Sequence, residues 1–444
     1  MRRLIWDLPA APASSAGYPL ASILPLCSHN PMQASTRILA ALCFILSLGR
    51  SCYAESETAP AQVKGSSQIS GLIVELSSDN ASNRIYAAKS LVAIGPSAAK
   101  PLSDAMRRSS PEKTTSAAMI DAFVGLGSDA VPMMLALIGA EESFELRHNP
   151  GLLGILKMGT NALPGLEEAL RAPDWKIRGN VIDSLRILQA VPGSENACIR
   201  LLVQEAKADE MEKLRLYATD ALGYLRIWTR QPVPLELRDG LHDLLKDKSQ
   251  KVRITAAYSL AKACQESSPE VLAALAEGLK QSDAELAYEC VFAMNFLETK
   301  AVPILPELSK ALQQGNERIA SEAANVLAKL GDPGFAPLST AAADSNPRVR
   351  VSGLNVLADL IINSTNHLED SLGILAKALK HPDKDTRQAA LNSLRRIGVE
   401  RRDPVLAQRI ISILNPLKKD DDKWVRSNAG DALEELRQVT GSHP

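Results

Sequence analysis

Residues able to do metal or acid–base chemistry are few in this sequence and stand far apart. The chain has six histidines, and His148, His242 and His367 fall in widely separated stretches. A metal site on helices needs ligands at short helical spacing, such as a His-x-x-x-His pair or a neighbouring His–Glu pair. The sequence contains neither. We therefore predict no metal site, no cofactor site and no catalytic histidine.

Cysteine chemistry is supported no better. Beyond residue 54 the cysteines are Cys198, Cys264 and Cys290, without a CxxC pair. Each falls at a helical position expected to be buried, where cysteine acts as a small hydrophobic residue. A Cys264–Cys290 disulfide stays open as an alternative, because sequence does not give its geometry. Phosphate-binding and nucleophile-elbow motifs are absent as well, so we predict that the chain is not an enzyme.

One phrase recurs along the chain from about residue 68. It opens with Val-Arg or Ile-Arg, continues with small residues three and four positions later, and has Leu at seven and Leu or Ile at ten. This spacing is helical, and a period in the thirties with two amphipathic helices per unit is typical of a solenoid. Each hairpin can bury its apolar face only by stacking on its neighbours. The clearest openings are Asn83-Arg84, Val252-Arg253, Thr386-Arg387 and Val425-Arg426.

The arginine of this phrase forms a column, with one position per repeat. The column positions are 84, 116, 148, 178, 215, 253, 287, 320, 350, 387 and 426. Paired charges along helices are the ordinary arrangement, which favours a structural ladder, and an anion-binding stripe is the alternative. The ladder residues are Arg84, Arg178, Arg215, Arg253, Arg350, Arg387 and Arg426.

Aromatic residues concentrate in the middle of the array. Because exposed aromatics anchor interfaces, we hypothesise a partner-binding patch around Tyr224, Tyr258, Phe292 and Phe296, and irregular core packing is the alternative. The connection between Leu225 and Leu235 is the least repeat-like, and its Trp228 is a second candidate for partner binding. A projecting loop or a packed spacer would both fit that connection.

These residues resemble the HEAT-repeat family, and more closely the short-repeat variety named after phycobilisome lyases. The resemblance covers about residues 68–437 and implies an all-α, right-handed α-solenoid of about eleven helical hairpins. It also implies that the second helices line the concave surface. Each ladder arginine would then bridge to acids of the preceding turn or the next repeat, and nearby candidates are Asp174, Asp247, Asp383 and Asp422.

The residues before the repeats read as a leader. A positive residue, Arg37, precedes an apolar run of twelve residues and a small-residue exit at Ala54, which is typical of a secretory signal peptide. We predict an extension at 1–31 that is non-native or disordered, a signal peptide at 32–54, a flexible lead-in at 55–66, the solenoid at 67–438 and a tail at 439–444. The true start is Met1 or Met32, and lipid anchoring through Cys52 is the minor alternative.

The charge balance narrows the choice of partners. The chain has 50 Lys and Arg against 51 Asp and Glu, whereas nucleic-acid binding needs a basic excess. We predict an exported, periplasmic or extracellular scaffold that binds a protein or peptide, with no nucleic acid, no evident small-molecule substrate and no stable membrane span after leader removal. The alternatives are a lyase-like or chaperone-like protein acting on a chromophore- or cofactor-bearing partner, and a spacer without a specific ligand.

Overall fold

The helices pair into eleven hairpins. A computed structural model describes residues 66–108, 115–138, 149–224, 232–313, 316–364 and 366–441, and no residue in these ranges lies in a strand. The first helices of the hairpins are α1 (Ser66–Glu75), α3 (Ala99–Arg108), α5 (Val131–Leu137), α7 (Leu163–Ala169), α9 (Glu195–Ala208), α11 (Leu235–Leu244), α13 (Pro269–Gly278), α15 (Leu305–Gln313), α17 (Asp332–Ala341), α19 (Leu368–Ala378) and α21 (Pro404–Leu414).

The second helices carry the arginine column. They are α2 (Ala81–Ile94), α4 (Thr115–Gly125), α6 (Pro150–Met158), α8 (Trp175–Leu188), α10 (Glu212–Tyr224), α12 (Gln250–Cys264), α14 (Ala284–Met294), α16 (Glu317–Lys329), α18 (Pro347–Asn363), α20 (Lys384–Glu400) and α22 (Lys423–Thr440). Short 3-10 helices precede or follow some of the first helices, for example Pro96–Ala98 and Asn415–Lys419.

Short polar side chains fix where most second helices begin. Asn80 accepts a hydrogen bond from the backbone N–H of Ser82, and Asp422 accepts from Trp424 and Val425. Such caps satisfy N–H groups that have no partner within the helix. The polar residues between helices in the repeat are therefore helix starts as much as turns. The same role belongs to Asn149, Asp174, Ser249, Asp283, Asn316, Asn346 and Asp383.

The core of the array is a seam of small and branched residues. Ala87 and Leu91 in the first hairpin, and Ala429 and Leu433 in the last, are fully buried. Small residues let the helices approach closely: a Cβ added to Gly353 in α18 would lie 2.6 Å from the backbone nitrogen of Ala342. Successive second helices contact one another along the whole described array, whereas some neighbouring first helices, such as α11 and α13, hardly touch.

The predicted all-α solenoid of about eleven hairpins is confirmed. All described residues belong to one compact unit, Pro60–Pro444. The extension, the signal peptide, nearly all of the lead-in and residues 442–444 of the tail lie outside the described residues, and so does Cys52. Among the helices that the structure describes, none is long and apolar enough to cross a membrane.

Candidate partner-binding surfaces

Each column arginine closes the turn of its own hairpin. Its Nη1 donates to two backbone carbonyls, five and six residues earlier. In Arg253 these are Lys248, at 3.3 Å, and Asp247, at 2.9 Å. A guanidinium with five N–H donors can satisfy carbonyls at a helix–turn junction and keep one edge for another contact. The same pair of bonds is made by Arg84, Arg178, Arg215, Arg350, Arg387 and Arg426.

The second edge of the guanidinium binds an acid of the following hairpin. Arg215 Nε lies 2.9 Å from Asp247 Oδ2, and Arg387 Nη2 lies 2.8 Å from Asp420 Oδ1. The hydrogen bond from Arg387 lowers the pKa of Asp420 below its ordinary range. Each rung thus joins two consecutive hairpins with charge-assisted hydrogen bonds. The other rungs are Arg178 with Asp209, and Arg350 with Asp383.

The acids proposed from the sequence hold different positions in this ladder. Asp247 and Asp383 pair with the arginine one hairpin earlier, not with the arginine that follows them. Asp174 and Asp422 cap the second helices that follow them. The reason is local: the arginine's own turn already offers it two carbonyls, so its free edge faces the next hairpin.

One rung contains a second carboxyl group. Glu205 is buried, with Oε1 3.7 Å from Arg178 Nε, and it lies beside Asp209, which takes the stronger 2.7 Å contact. Burial, reinforced by Asp209, raises the pKa of Glu205 to about 8. Arg178 and backbone hydrogen bonding hold the pKa of Asp209 below its ordinary value in spite of its burial. Near neutral pH this rung therefore keeps a proton on Glu205.

The face of the second helices in hairpins four to eight carries aromatic and acidic side chains, which we call the floor: Asp183, Tyr217, Asp220, Tyr258, Lys262, Tyr288, Glu289, Phe292, Phe296 and Glu322. Its tyrosine hydroxyls bridge consecutive second helices. Tyr258 donates to Asp220 Oδ1 at 2.6 Å, and Tyr217 donates to Asp183. Burial next to Asp220 raises the pKa of Tyr258, so its hydroxyl remains a hydrogen-bond donor.

The aromatic patch is less exposed than the sequence hypothesis assumed. Tyr258 is only 5% exposed, because its ring lies between helices and its hydroxyl reaches Asp220. Phe292 and Phe296 are half-buried and meet edge to face, with ring centroids 5.5 Å apart. Among the described residues of the hypothesised patch, accessible aromatic surface thus comes from the two phenylalanines and not from Tyr258. The side chain of Tyr224 and the whole of Trp228 lie outside the described residues.

A buried lysine that the sequence hypothesis missed lies among these rings. Lys262 is 6% exposed, and its Nζ donates to Glu289 Oε2 at 3.0 Å. The same ammonium lies 5.0 Å from the Tyr258 ring centroid and 5.9 Å from that of Phe292. A cation over aromatic faces and beside a carboxylate is a favourable arrangement. Lys262 stands nine positions after Arg253. Tyr224 and Phe296 hold the same repeat position in other hairpins, so this spacing could have indicated that Lys262 lies on the same face.

Beyond the floor, the same face of the second helices carries polar pairs toward the last hairpin and apolar side chains toward the first. Glu322 accepts from Asn295, and further on Arg396 pairs with Asp359. In α2 the corresponding face exposes Ile85 and Tyr86, at 57% and 62%. This surface of the second helices is therefore varied in chemistry along its length.

The described residues contain no group of three or more His, Cys, Asp or Glu that could hold a metal ion. In the described part of the chain, no disulfide joins Cys264 to Cys290. Burial raises the pKa of the Cys198 thiol to about 12 and also raises that of Cys290. Both thiols are therefore protonated at neutral pH, and a protonated thiol is a poor nucleophile.

Comparison with solved structures finds similar solenoids at low identity. Kap121p has a TM-score of 0.49 and 14% identity, covering 93% of this chain and 50% of that chain. Kap121p bound to the extreme C-terminus of the protein phosphatase Cdc14p has a TM-score of 0.46 and 13% identity, covering 94% of this chain and 53% of that chain. Escherichia coli YibA has a TM-score of 0.41 and 19% identity, covering 67% of this chain and 99% of that chain. This chain spans about half the length of the Kap121p chains.

Sequence comparison identifies the repeats themselves. No curated protein sequence matches the chain. The family model for HEAT repeats matches residues 199–295 and 335–434. These two stretches hold five of the ladder arginines, on the second helices of hairpins five, six, nine, ten and eleven: Arg215, Arg253, Arg350, Arg387 and Arg426. With its stacked helical hairpins, its arginine column and this match, the chain belongs to the HEAT-repeat family.

Proposed function

We propose that this protein is an exported, non-enzymatic scaffold that binds a segment of a partner protein on the floor of its second helices. The observation that carries the proposal is the environment of Lys262. There the floor already holds an ammonium group between the Tyr258 and Phe292 rings, with Glu289 as counter-ion. A surface that accommodates its own lysine in this way has the chemistry to accept lysine or arginine from a partner.

The charges of the floor favour a basic segment. Of the floor residues, four are carboxylates, Asp183, Asp220, Glu289 and Glu322, and one is a cation, Lys262. Two further cations lie beside the floor: Arg186 contacts Asp183, and Arg318 lies over the Tyr288 ring and pairs with Glu285. Arg186 pairs with Asp183 and Lys262 with Glu289. Asp220 and Glu322 instead accept hydrogen bonds from neutral groups, the hydroxyl of Tyr258 and the amide of Asn295. These two contacts bring no cation to Asp220 or Glu322, so both carboxylates are placed to attract a cationic partner.

The accessible rings supply the apolar part of the interface. Phe292 and Phe296 belong to the same floor, contact each other edge to face and keep part of their surface open. Aromatic side chains at the centre of a contact contribute a large share of binding energy, whereas peripheral charges mainly set orientation and association rate. We therefore assign the anchoring role to the two phenylalanines and the selective role to Asp220 and Glu322. The leader pattern at 32–54 supports export, and the partner of an exported chain would lie outside the cytoplasm.

The proposal is tested by partner capture from an envelope extract. The wild-type chain, a Phe292→Ala/Phe296→Ala variant and a Trp424→Ala control would be compared, with circular dichroism on each. Trp424 is 64% exposed on the last hairpin, away from the floor, so its removal controls for loss of an aromatic side chain. We expect the wild type and the control to retain the same partner and the double variant to lose it while staying folded. Equal recovery by all three would contradict the proposal.

A further inference from the structure

A groove lies between the first helices of hairpins six and seven, on a different part of the molecule from the floor. Because α11 and α13 hardly touch, they leave an open space of about 560 Å³ between them. One wall carries His242, Lys246 and Arg253, and the facing wall carries Glu270, Glu277 and the small side chains of Ala273 and Ala274. The carboxylate of Glu277 already accepts a hydrogen bond from the amide of Gln250. Most of the residues that line the groove are charged or polar, so its chemistry suits a charged ligand.

The arginine ladder is incomplete at this groove. Arg178, Arg215, Arg350 and Arg387 each bind an acid of the next hairpin. Arg253 makes only its two bonds to its own turn, through Nη1, and within the described chain its Nε and Nη2 have no protein acceptor.

The sequence shows why the acid is missing. Asp209, Asp247 and Asp420 each stand six positions before a column position, and the corresponding residue for hairpin seven is Gln281. In the Arg350 rung the acid is Asp383, four positions before the column position, where hairpin seven has Asp283. The amide of Gln281 donates to the carbonyl of Glu277 instead. Asp283, two residues on, pairs with Lys251 and caps α14.

We propose that the groove binds an aspartate or glutamate side chain of a partner polypeptide, which completes the rung at Arg253. The unused Nε and Nη2 of Arg253 present the parallel donors that a carboxylate accepts from Arg178, Arg215 and Arg387. Lys246 adds a second positive charge to the groove. Glu270 on the facing wall suits a donor such as a backbone N–H of the same segment. Ala273 and Ala274 leave room for that backbone to pass.

The site is independent of the proposed function. It lies between first helices and recognises an acid, whereas the floor lies on second helices and favours a base. If binding at the groove were disproved, the proposed binding at the floor would still stand, and the reverse also holds, because the two surfaces share no residue.

The test uses the full chain labelled with ¹⁵N-arginine, in which the Nε–H signal of Arg253 is assigned by its loss in Arg253→Lys. The probes are the blocked peptide Ala-Ala-Asp-Ala-Ala, its Asn counterpart and succinate. We expect the Asp peptide to shift the Arg253 signal saturably, with a Kd on the order of 1 mM. The Asn peptide should bind at least about tenfold more weakly, since a neutral amide lacks the charge-assisted bond.

A variant of Gln281 supplies the internal control. Gln281→Asp restores the acid that the other rungs have, so we expect it to abolish the peptide response and raise Tm. Gln281→Asn introduces a side chain of the same size as aspartate but without its charge, so this variant should keep the response to the peptide. No shift of the Arg253 signal, equal responses to the Asp and Asn peptides, or an unchanged response in Gln281→Asp would overturn the proposal. Succinate binding as tightly as the peptide would also overturn it, because the ligand would then be a free carboxylate.

Discussion

The guanidinium of Arg215 reaches from one hairpin to the next and binds Asp247, with Nε 2.9 Å from Oδ2 and Nη2 3.1 Å from Oδ1. Both side chains are buried, at 3% and 10% exposure. The same arginine also closes its own turn through the carbonyls of Asp209 and Glu210. A single side chain therefore fixes the geometry within one repeat and the stacking between two.

Removing this rung should destabilise the array strongly. Arg215→Leu leaves Asp247 as a buried charge without its cation, which costs about 3–5 kcal/mol. Arg253→Leu is the matched control, because Arg253 closes its turn in the same way but has no acid partner. In urea unfolding, we expect Arg253→Leu to lose less free energy of unfolding than Arg215→Leu. The expected difference is about 1.5–3 kcal/mol, the contribution of hydrogen bonds to a charged group. Equal losses would show that the inter-hairpin contact contributes nothing.

Glu205 should make stability depend on pH in the neutral range. Its folded pKa, about 8, is raised above the ordinary value of 4.5, mainly by burial. Between these values the folded state binds more protons than the unfolded state, so stability falls as pH rises from about 4.5 to about 8. Glu205→Gln removes this contribution. We expect urea midpoints at pH 5 and pH 8 to differ less in the variant than in the wild type, and the same difference in both would contradict the assignment.

The hydroxyl of Tyr258 should be coupled energetically to Asp220. Tyr258→Phe removes the 2.6 Å hydrogen bond while keeping the ring, and we expect a loss of about 1.5–3 kcal/mol, since the acceptor is charged. A double-mutant cycle with Asp220→Ala isolates the pair. Additive effects of the two substitutions, measured by urea unfolding, would show that the hydroxyl and the carboxylate do not interact.

Close packing between helices α17 and α18 should make Gly353 intolerant of a side chain. A Cβ there would lie 2.6 Å from the nitrogen of Ala342 and 2.8 Å from the carbonyl carbon of Ala341. Overpacking of this kind costs about 1–3 kcal/mol. Gly373→Ala is the control, because a Cβ at Gly373 meets nothing within 4 Å and alanine favours a helix interior by about 0.5–1 kcal/mol over glycine. Thermal unfolding should therefore shift in opposite directions for the two variants.

The sequence contains most of the information that defines the fold. The apolar spacing and the arginine column are local patterns repeated many times, so errors in single copies do not disturb the eleven-hairpin prediction. The pairing of Arg215 with Asp247 is different, because it depends on how far one hairpin is displaced from the next. That displacement depends on packing along the whole seam between hairpins, so the sequence of a single repeat does not predict it.

The floor illustrates the same limit. The helical spacing brings Tyr258 and Phe292 to one face, but it does not show that Tyr258 turns between helices toward Asp220 while Phe292 stays half-exposed. Nor does it show that Lys262, nominally a surface residue, is buried between two rings. Burial of long amphipathic side chains depends on neighbours from the adjacent hairpin.

The central claim, that the floor around Phe292 and Phe296 binds a partner protein, is tested most directly by site-specific crosslinking in the cell. A photoreactive benzoyl-phenylalanine would replace Phe296 in one strain and Trp424 in another, since both positions carry aromatic rings and only the first lies on the floor. We predict that illumination yields a discrete crosslinked species from position 296 and not from position 424, and that Asp220→Asn/Glu322→Gln weakens it. No crosslink at 296, or equal crosslinking at 424, would contradict the account.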